Sequence, residues 1–149
     1  MKKIVIPINA FVINRKQKGV MKAVKMTLNN WINVSGTPKG RMATNTYKQM
    51  IQKRIKPIVE QEVVNGLSVS YPARFRFDWY LPDMRTDLDN WGFTHKFIFD
   101  AFQGVSVRGK EFMPDDNLKH VTATLDYFAG VDKDNPRVEI TIIEEQEID

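Results

Sequence analysis

The fold is decided by residues 73–81, ARFRFDWYL, the second half of a segment that we predict to be one long strand over residues 67–81. Aromatic and charged side chains alternate along this stretch, which is typical of a strand whose two faces differ. Because neither face is purely apolar, we expect a central strand with both faces partly covered. The other elements are arranged around this strand.

Upstream of this strand, the sequence predicts a short strand, a basic loop and a helix. Residues 3–8 alternate and are rich in β-branched residues, which favours the strand. Glycine, proline and lysine punctuate residues 10–42, where we expect an inserted basic loop. A helix begins at a cap formed by Thr44 or Asn45 and runs to residue 64.

Downstream, a second helix and two strands complete an α+β chain. The second helix starts near residue 89 or 94 and ends at residue 103. Alternating apolar residues predict strands over residues 118–128 and 137–143, paired as a hairpin, and the acidic tail, residues 144–149, is expected to fray. The predicted order is strand, helix, strand, helix, strand, strand, which makes a small mixed sheet with helices packed on it.

Composition limits the class of protein. A chain of 149 residues suits one domain, so we predict a single domain over residues 1–149. The absence of cysteine excludes disulfides, thiolate catalysis and cysteine-bound zinc. No apolar run approaches the roughly 18 residues that span a bilayer, and the run after Lys3 stops at Pro7, too early for a signal peptide. We therefore expect a cytoplasmic protein with no membrane partner.

Charge is unevenly distributed along the chain. Residues 1–59 contain 13 lysines and arginines and no acidic residue, whereas the rest of the chain holds nine basic and all 18 acidic residues. Such segregation indicates a phosphate-binding surface in the first segment and a cation-dependent site in the second, although a solvated basic surface would give the same composition. The candidate DNA-binding residues are Arg15, Lys16, Lys18, Lys22, Lys25, Lys39, Arg41, Lys48 and Arg85.

Two aspartates stand where the central strand gives way to the second helix, in the sequence Asp87-Leu88-Asp89-Asn90. Side chains two residues apart on an extended segment point the same way, and two such carboxylates repel unless a cation neutralises them. Mg²⁺ prefers oxygen ligands of this kind. Asp116 could approach them if its strand is a neighbour of the central one, and three carboxylates could hold two metal ions about 4 Å apart for phosphodiester hydrolysis.

Simpler explanations exist for each of these residues. Asp89 or Asn90 can cap a helix, and Asp115-Asp116 can form a turn. Lys96 is a candidate for binding the scissile phosphate or stabilising the transition state, but most helix lysines are only solvated. His95 could act in acid-base chemistry; we favour a structural or solvent-facing role, because a two-metal site needs no histidine.

The order of these motifs resembles the signature of the RusA family of Holliday-junction resolvases. The matching residues are Asp87-Leu88-Asp89-Asn90, Lys96, Phe99-Asp100-Ala101-Phe102 and Asp115-Asp116, and the likeness extends over residues 68–143. Members of this family are homodimeric, Mg²⁺-dependent endonucleases of DNA recombination and repair, often encoded by phages and prophages. They nick opposing strands of four-way junctions.

The resemblance implies a role for each matching residue, within a single RusA-like endonuclease domain. The carboxylates that would be catalytic and would bind Mg²⁺, or Mn²⁺ in its place, are Asp87, Asp89 and Asp116. Lys96 would be the catalytic lysine, and Asp115 and Asn90 would support the site. The implied partners are branched DNA and a second copy of the chain, in the cytoplasm or nucleoid of a bacterial host cell.

One departure from the family concerns the lysine. In the family it typically follows the second aspartate by four residues, whereas Lys96 follows Asp89 by seven. We therefore predict that Trp91-Gly92-Phe93 is an inserted bulge and that the second helix begins near Thr94. That start would return Lys96 to the site.

Two other functions fit the same motifs. A structure-specific nuclease that cuts flaps or forks would use the same residues. A non-catalytic DNA-binding accessory protein with a degenerate acidic site would explain the insertion after Asn90.

Overall fold

The structure, a computed structural model, describes residues 2–145. Its first half contains β1 (Lys2–Pro7), a 3-10 turn (Ile8–Phe11), β2 (Val12–Gln17), β3 (Val20–Lys25), α1 (Leu28–Ser35) and α2 (Pro38–Val64). Its second half contains β4 (Ala73–Leu81), α3 (Leu88–Gly92), α4 (His95–Gln103), β5 (Ser106–Val107), β6 (Lys110–Glu111), β7 (Val121–Val131) and β8 (Arg137–Glu144). Four strands form the main sheet, and β2–β3 and β5–β6 form separate two-stranded ribbons.

The main sheet has the strand order β1-β8-β4-β7, which confirms the expected mixed α+β architecture. β4 is central: it pairs parallel with β7 and antiparallel with β8. The predicted hairpin of the last two strands is wrong, because β4 lies between them. The turn that joins them passes the end of β4, where Asp132 donates its backbone N–H to the Leu81 carbonyl at 2.8 Å. Apolar alternation identifies each strand but not the neighbour that it takes.

One face of β4 is the centre of the hydrophobic core. Phe75, Phe77 and Trp79 are fully buried on this face, and α2 contributes Ile51 and Ile55 to the same core. The opposite face carries the charged residues of β4, which form ion pairs along the strand and with Glu145, the residue that follows β8. The alternation along this strand therefore predicted its two different surroundings.

The predicted basic loop over residues 10–42 is wrong, because this segment folds into the β2–β3 hairpin, α1 and the first turn of α2. Lys18 and Gly19 have positive φ values of 50° and 80° and form a two-residue turn of the kind that suits the twist of a hairpin. Ile13 and Met26, both fully buried, anchor the base of the ribbon. Its strands are hard to recognise because polar and charged residues interrupt the apolar alternation.

α2 begins at Pro38, before the predicted cap. Thr37 caps the helix by accepting the N–H of Gly40 at 3.0 Å, and proline suits the first helical position, where no amide hydrogen is needed. The helix ends at Val64 as expected, just before Gly66 with its positive φ of 110°. Within residues 2–145, neither α2 nor any other helix is both long and apolar enough to cross a membrane.

Several strand boundaries also differ from the sequence prediction. β7 covers Val121–Val131 rather than residues 118–128. β4 begins at Ala73 rather than at residue 67. The acidic tail does not fray from residue 144, since Glu144 is a buried member of β8 and forms an ion pair with Lys2 at 2.8 Å. The rest of the predicted frayed segment, residues 146–149, lies outside the described residues.

Candidate nuclease site

Asp87 and Asp89 lie at the start of α3, on the connection that leaves the C-terminal end of β4. Asp87 occupies the N-cap position with an extended backbone, but its side chain makes no capping hydrogen bond. The side chain of Asp89 accepts the backbone N–H of Asn90 at 3.1 Å. Both aspartates are exposed. Contrary to the capping interpretation, neither Asp89 nor Asn90 caps this helix, because Asp87 occupies the N-cap and both residues lie inside α3. Both carboxylates are accessible to a cation.

Asn90 belongs to the acidic loop, as we call residues 87–90, and connects this loop to the acid-free segment, residues 1–59. Its side-chain oxygen accepts the backbone N–H of Asn29, in the first turn of α1, at 2.9 Å. Thr27, the N-cap residue of α1, makes no side-chain capping bond of its own. Asn90 therefore satisfies one of the first amide groups of α1 from a distant part of the chain. This contact holds α1, and with it the preceding hairpin, against the acidic loop.

A basic groove of about 420 Å³ opens beside this loop, between β3 and residues 83–86. The cations that line it are Lys22, Lys25 and Arg85. The backbone N–H of Arg85 holds the pKa of the Asp83 carboxyl in the groove wall below its usual value, and the charges of Lys25 and Arg85 add to the effect. Thr86 lines both the groove and the adjoining cavity that contains Asp87. Three cations thus lie next to an exposed carboxylate.

Residues 91–93 do not loop out as predicted. Trp91 belongs to α3, is 1 % exposed and packs on Trp79 with ring centroids 5.4 Å apart. Gly92 ends the helix against Asp126, whose Oδ2 would lie 3.1 Å from a Cβ at this position. The insertion is therefore a short helix that fills the core, because its tryptophan is too large and apolar to remain in solvent.

α4 begins directly after its N-cap residue Thr94, which confirms the predicted start and places Lys96 in the first turn. Asp100 lies one turn further on, and burial raises the pKa of its carboxyl. The charge of Asp116 raises this pKa further, whereas the charges of Lys48 and Lys96 lower it. These four charged groups therefore lie near one another. Asp100 is a site residue that sequence reasoning missed, although its spacing of four residues from Lys96 indicates a shared helix face.

Asp115 and Asp116 have different surroundings. Asp115 accepts the backbone N–H of Asp116 at 2.7 Å and the side-chain amide of Asn117 at 3.3 Å, as the turn interpretation expects. Asp116 is exposed and lines a cavity of about 440 Å³ together with His95 and the first residues of β7. Asp115 therefore shapes the connection, and Asp116 is the carboxylate that a ligand can reach.

A histidine and an aspartate form a hydrogen-bonded pair beside this cavity. His95 Nε2 lies 2.9 Å from Oδ1 of Asp126, and the same oxygen accepts the indole N–H of Trp79 at 2.7 Å. The imidazole is stacked on Phe77 with ring centroids 4.0 Å apart. These contacts fix the ring of His95, in keeping with the structural role favoured from the sequence. Asp126 could not be identified from the sequence, because in an alternating strand it looks like any other polar residue.

The three predicted carboxylates are not gathered at one point. β4 and β7 are neighbours as expected, but they run parallel, so Asp87 follows the C-terminal end of β4 while Asp116 precedes the N-terminal end of β7. Asp87 shares a cavity with Phe128, and Asp116 shares one with Thr124; four residues of strand span about 13 Å. Within residues 2–145, no group of three or more acidic, histidine or cysteine side chains could hold a metal ion.

The residues at the start of α3 have the chemistry of a smaller metal site. Mg²⁺ commonly takes one or two protein carboxylates and completes its coordination with water and substrate phosphate. Asp87 and Asp89 are exposed carboxylates separated by a single residue. The extended segment expected for this pair is not observed, because Asp89 lies in the first turn of α3. The two carboxylates still offer oxygen atoms of the kind that Mg²⁺ prefers.

The other predicted DNA-binding residues lie outside the basic groove. Lys48 extends over the ring of Trp31, with Nζ 5.7 Å from the ring centroid, and Arg15 lines a neighbouring cavity. The remaining cations are solvent-exposed: Lys16, Lys18, Lys39 and Arg41. The cations nearest the acidic loop are therefore those of the groove.

No protein-family model matches the chain, and no curated protein matches it either. Function must therefore be inferred from the motifs and from the geometry of the site.

Proposed function

We propose that this protein is a Mg²⁺-dependent endonuclease that resolves four-way DNA junctions, as its resemblance to the RusA family implies. The observation that carries the proposal is the basic groove, which shares Thr86 with the cavity lined by Asp87. Asp87 and Asp89, two residues further on, are both exposed. Cations bind the phosphates of DNA, and paired carboxylates bind the metal ion that hydrolysis requires. The two requirements of a metal-dependent nuclease thus meet at the start of α3.

In this proposal, different residues around α3 and α4 bind the metal ion and the DNA phosphates. Asp87 and Asp89 would hold the metal ion, which when bound supplies Lewis-acid catalysis to phosphodiester hydrolysis. The basic groove holds the neighbouring phosphates and fixes the path of the strand. Lys96 attracts a phosphate to the first turn of α4, and Asp116 and Asp100 balance its charge while DNA is absent.

A homodimer is part of the proposal, because a four-way junction presents two equivalent strands to a symmetric pair of sites. β7 supports it, since within the described sheet this strand pairs with β4 alone. The large apolar residues that it exposes, each by more than 40 %, are Leu125, Tyr127, Phe128 and Val131. Edge strands are usually protected by charge or by a covering element. A second copy that pairs along β7 would cover this edge.

A DNA-binding accessory protein without nuclease activity is the second candidate. The separation of Asp116 from Asp87 and Asp89 favours it, because a two-metal centre needs all its carboxylates at one point. The basic groove serves this function equally well. Such a protein would bind junctions and leave them intact.

Cleavage of synthetic four-way junctions, in competition with forked and linear duplex DNA, distinguishes these functions. With Mg²⁺, we expect paired nicks on opposing strands of the junction and little cutting of the competitors. Preferential cutting of forks would identify a flap or fork nuclease instead. Junction binding without product, in Mg²⁺ or in Mn²⁺, would identify an accessory protein.

A further inference from the structure

Arg15, on β2, has buried hydrogen-bond donors that lack an acceptor. Its guanidinium lies over the ring of Tyr47, with Cζ 6.0 Å from the ring centroid. Nε and Nη1 are both shut off from solvent, and neither has a hydrogen-bond partner within residues 2–145. Charged donors removed from water destabilise a fold unless an acceptor satisfies them. Nε and Nη1 are therefore unsatisfied within the described residues, and an acceptor supplied from outside the chain would satisfy them.

A cavity of about 200 Å³ adjoins Arg15, between the β2–β3 hairpin and the helices α1 and α2. Its other polar lining groups are the amides of Gln17, Asn30 and Asn33 and the hydroxyl of Thr37, at the start of α2. Thr37 already donates its hydroxyl hydrogen to the Val34 carbonyl and Asn30 one amide hydrogen to the Lys25 carbonyl, so the amides of Gln17 and Asn33 and the second amide hydrogen of Asn30 remain for a ligand. None of its lining residues is acidic. The N-terminal end of a 27-residue helix adds a positive potential. The cavity thus offers hydrogen-bond donors and positive charge without a carboxylate to neutralise them.

We propose that this cavity binds a phosphate group with Arg15 as its principal donor, and that the phosphate belongs to the sugar–phosphate backbone of bound DNA. A guanidinium presents parallel N–H donors that match two oxygens of a phosphate. Gln17, Val24 and Asn30 line both this cavity and the basic groove. A strand that lies in the groove therefore brings its next phosphates to Arg15. The assignment to DNA rests on the proposed function, whereas the phosphate pocket does not.

Thermal unfolding in inorganic phosphate tests the pocket without DNA or cleavage. Arg15→Met removes the guanidinium and keeps a long side chain, and Lys16→Met removes the same charge from the next residue, which is exposed. Relative to chloride at equal ionic strength, phosphate should raise the unfolding midpoint of the wild-type protein and of Lys16→Met, but not that of Arg15→Met. If phosphate shifted the unfolding midpoints of Arg15→Met and Lys16→Met equally, the proposed phosphate pocket would be wrong.

A second variant keeps this test decisive if Arg15→Met does not fold. Arg15→Lys retains the positive charge but loses the planar pair of donors. We expect it to fold and to show a smaller midpoint shift in phosphate than the wild-type protein. A full wild-type shift would mean that general charge, rather than the geometry of Arg15, binds the anion, and it would overturn the assignment.

Binding of short duplexes with hydroxyl or 5′-phosphate ends identifies the source of the phosphate. For a backbone phosphate, Arg15→Met should weaken binding of both duplexes by about tenfold and Lys16→Met by about twofold. A loss confined to the 5′-phosphorylated duplex would assign the pocket to a terminal phosphate and overturn the backbone assignment. If the protein leaves four-way junctions uncut but phosphate still stabilises it in a way that depends on Arg15, the nuclease function is contradicted. The phosphate pocket is then still supported.

Discussion

Asp126 fixes the way in which α3 and α4 meet. Its Oδ1 accepts the indole N–H of Trp79 and lies 2.9 Å from His95, the first residue of α4. Its Oδ2 faces Gly92, the last residue of α3. One carboxylate thus positions both helices that carry the candidate catalytic residues, although it contacts none of the three predicted carboxylates.

Asp126→Ala should lower the free energy of unfolding by about 2–4 kcal/mol, because the buried indole nitrogen of Trp79 and the partly buried imidazole of His95 lose their hydrogen-bond partner. Urea unfolding measures this loss. Asp134→Ala, at an exposed position in the turn after β7, is the control, and it should change the free energy by no more than about 0.5 kcal/mol. Equal losses from the two variants would show that the contacts of Asp126 do not stabilise the fold.

Asp100 carries a charge that opposes folding. Burial raises the pKa of its carboxyl, and the charge of Asp116 raises it further. The penalty is therefore absent below the unfolded-state pKa of about 4 and grows as the pH rises through the folded-state pKa. Asp100→Asn should raise the thermal midpoint at pH 7 and leave it unchanged at pH 3. A lower midpoint at pH 7 would mean that Lys48 and Lys96 attract Asp100 more strongly than burial and Asp116 disfavour its charge.

Single residues were predictable from the sequence only where a motif marks them. Asp87 and Asp89 stand in a short acidic motif, and the structure leaves both exposed. Asp126 is an isolated aspartate on a strand, and its role comes from a tertiary hydrogen bond with Trp79 that no local pattern encodes. Asp100 stands in a matched segment, but the charge of Asp116 that acts on it comes from outside its helix.

The β2–β3 hairpin and the acidic loop are coupled through α1. α1 lacks a side-chain cap of its own and receives one from Asn90 in the acidic loop. Its other neighbour is the hairpin, since Asn30 donates its side-chain amide to the Lys25 carbonyl at 2.9 Å. The hairpin and α1 line both the basic groove and the Arg15 cavity. A change in the acidic loop should therefore affect both sites through α1.

Asn90→Ala should destabilise the protein by about 1 kcal/mol, the usual cost of removing a helix cap. It should also weaken DNA binding, because α1 and the cations of β3 lose their fixed position beside the acidic loop. Denaturant unfolding and fluorescence anisotropy measure the two effects. Asn45→Ala, at an exposed position of α2, should cause neither loss, since alanine favours a helix. Unchanged DNA affinity in Asn90→Ala would contradict the coupling.

Elements were predictable where one periodicity runs through them without interruption. β4 and α4 follow from their spacing of apolar residues, and so does most of α2. The hairpin was missed because its strands mix lysines with few apolar residues and its turn places Lys18 at positive φ. The pairing of β8 was missed because its neighbour β4 lies far away in the sequence.

The basic and the acidic parts of the sequence lie in different parts of the folded protein. The acid-free residues 1–59 supply the hairpin, α1 and most of α2, and the segment from β4 to β8 supplies the acidic residues. The basic groove lies where the two parts meet, beside Asp87. Composition predicted a basic and an acidic part of the chain, and the resemblance assigned roles to Asp87, Asp89 and Asp116. Neither predicts the direction of β7 relative to β4, and that direction separates Asp116 from Asp87 and Asp89.

Whether Asp87 and Asp89 form a catalytic metal site is decided by junction cleavage and junction binding of Asp89→Asn. Glu111→Gln, which neutralises an exposed carboxylate on β6, is the matched control. We expect Asp89→Asn to cut four-way junctions at least about 100-fold more slowly in Mg²⁺ and to bind them as tightly as the wild-type protein, because the metal site and the groove use different residues. Cleavage by Asp89→Asn at the wild-type rate would contradict the assignment of the site.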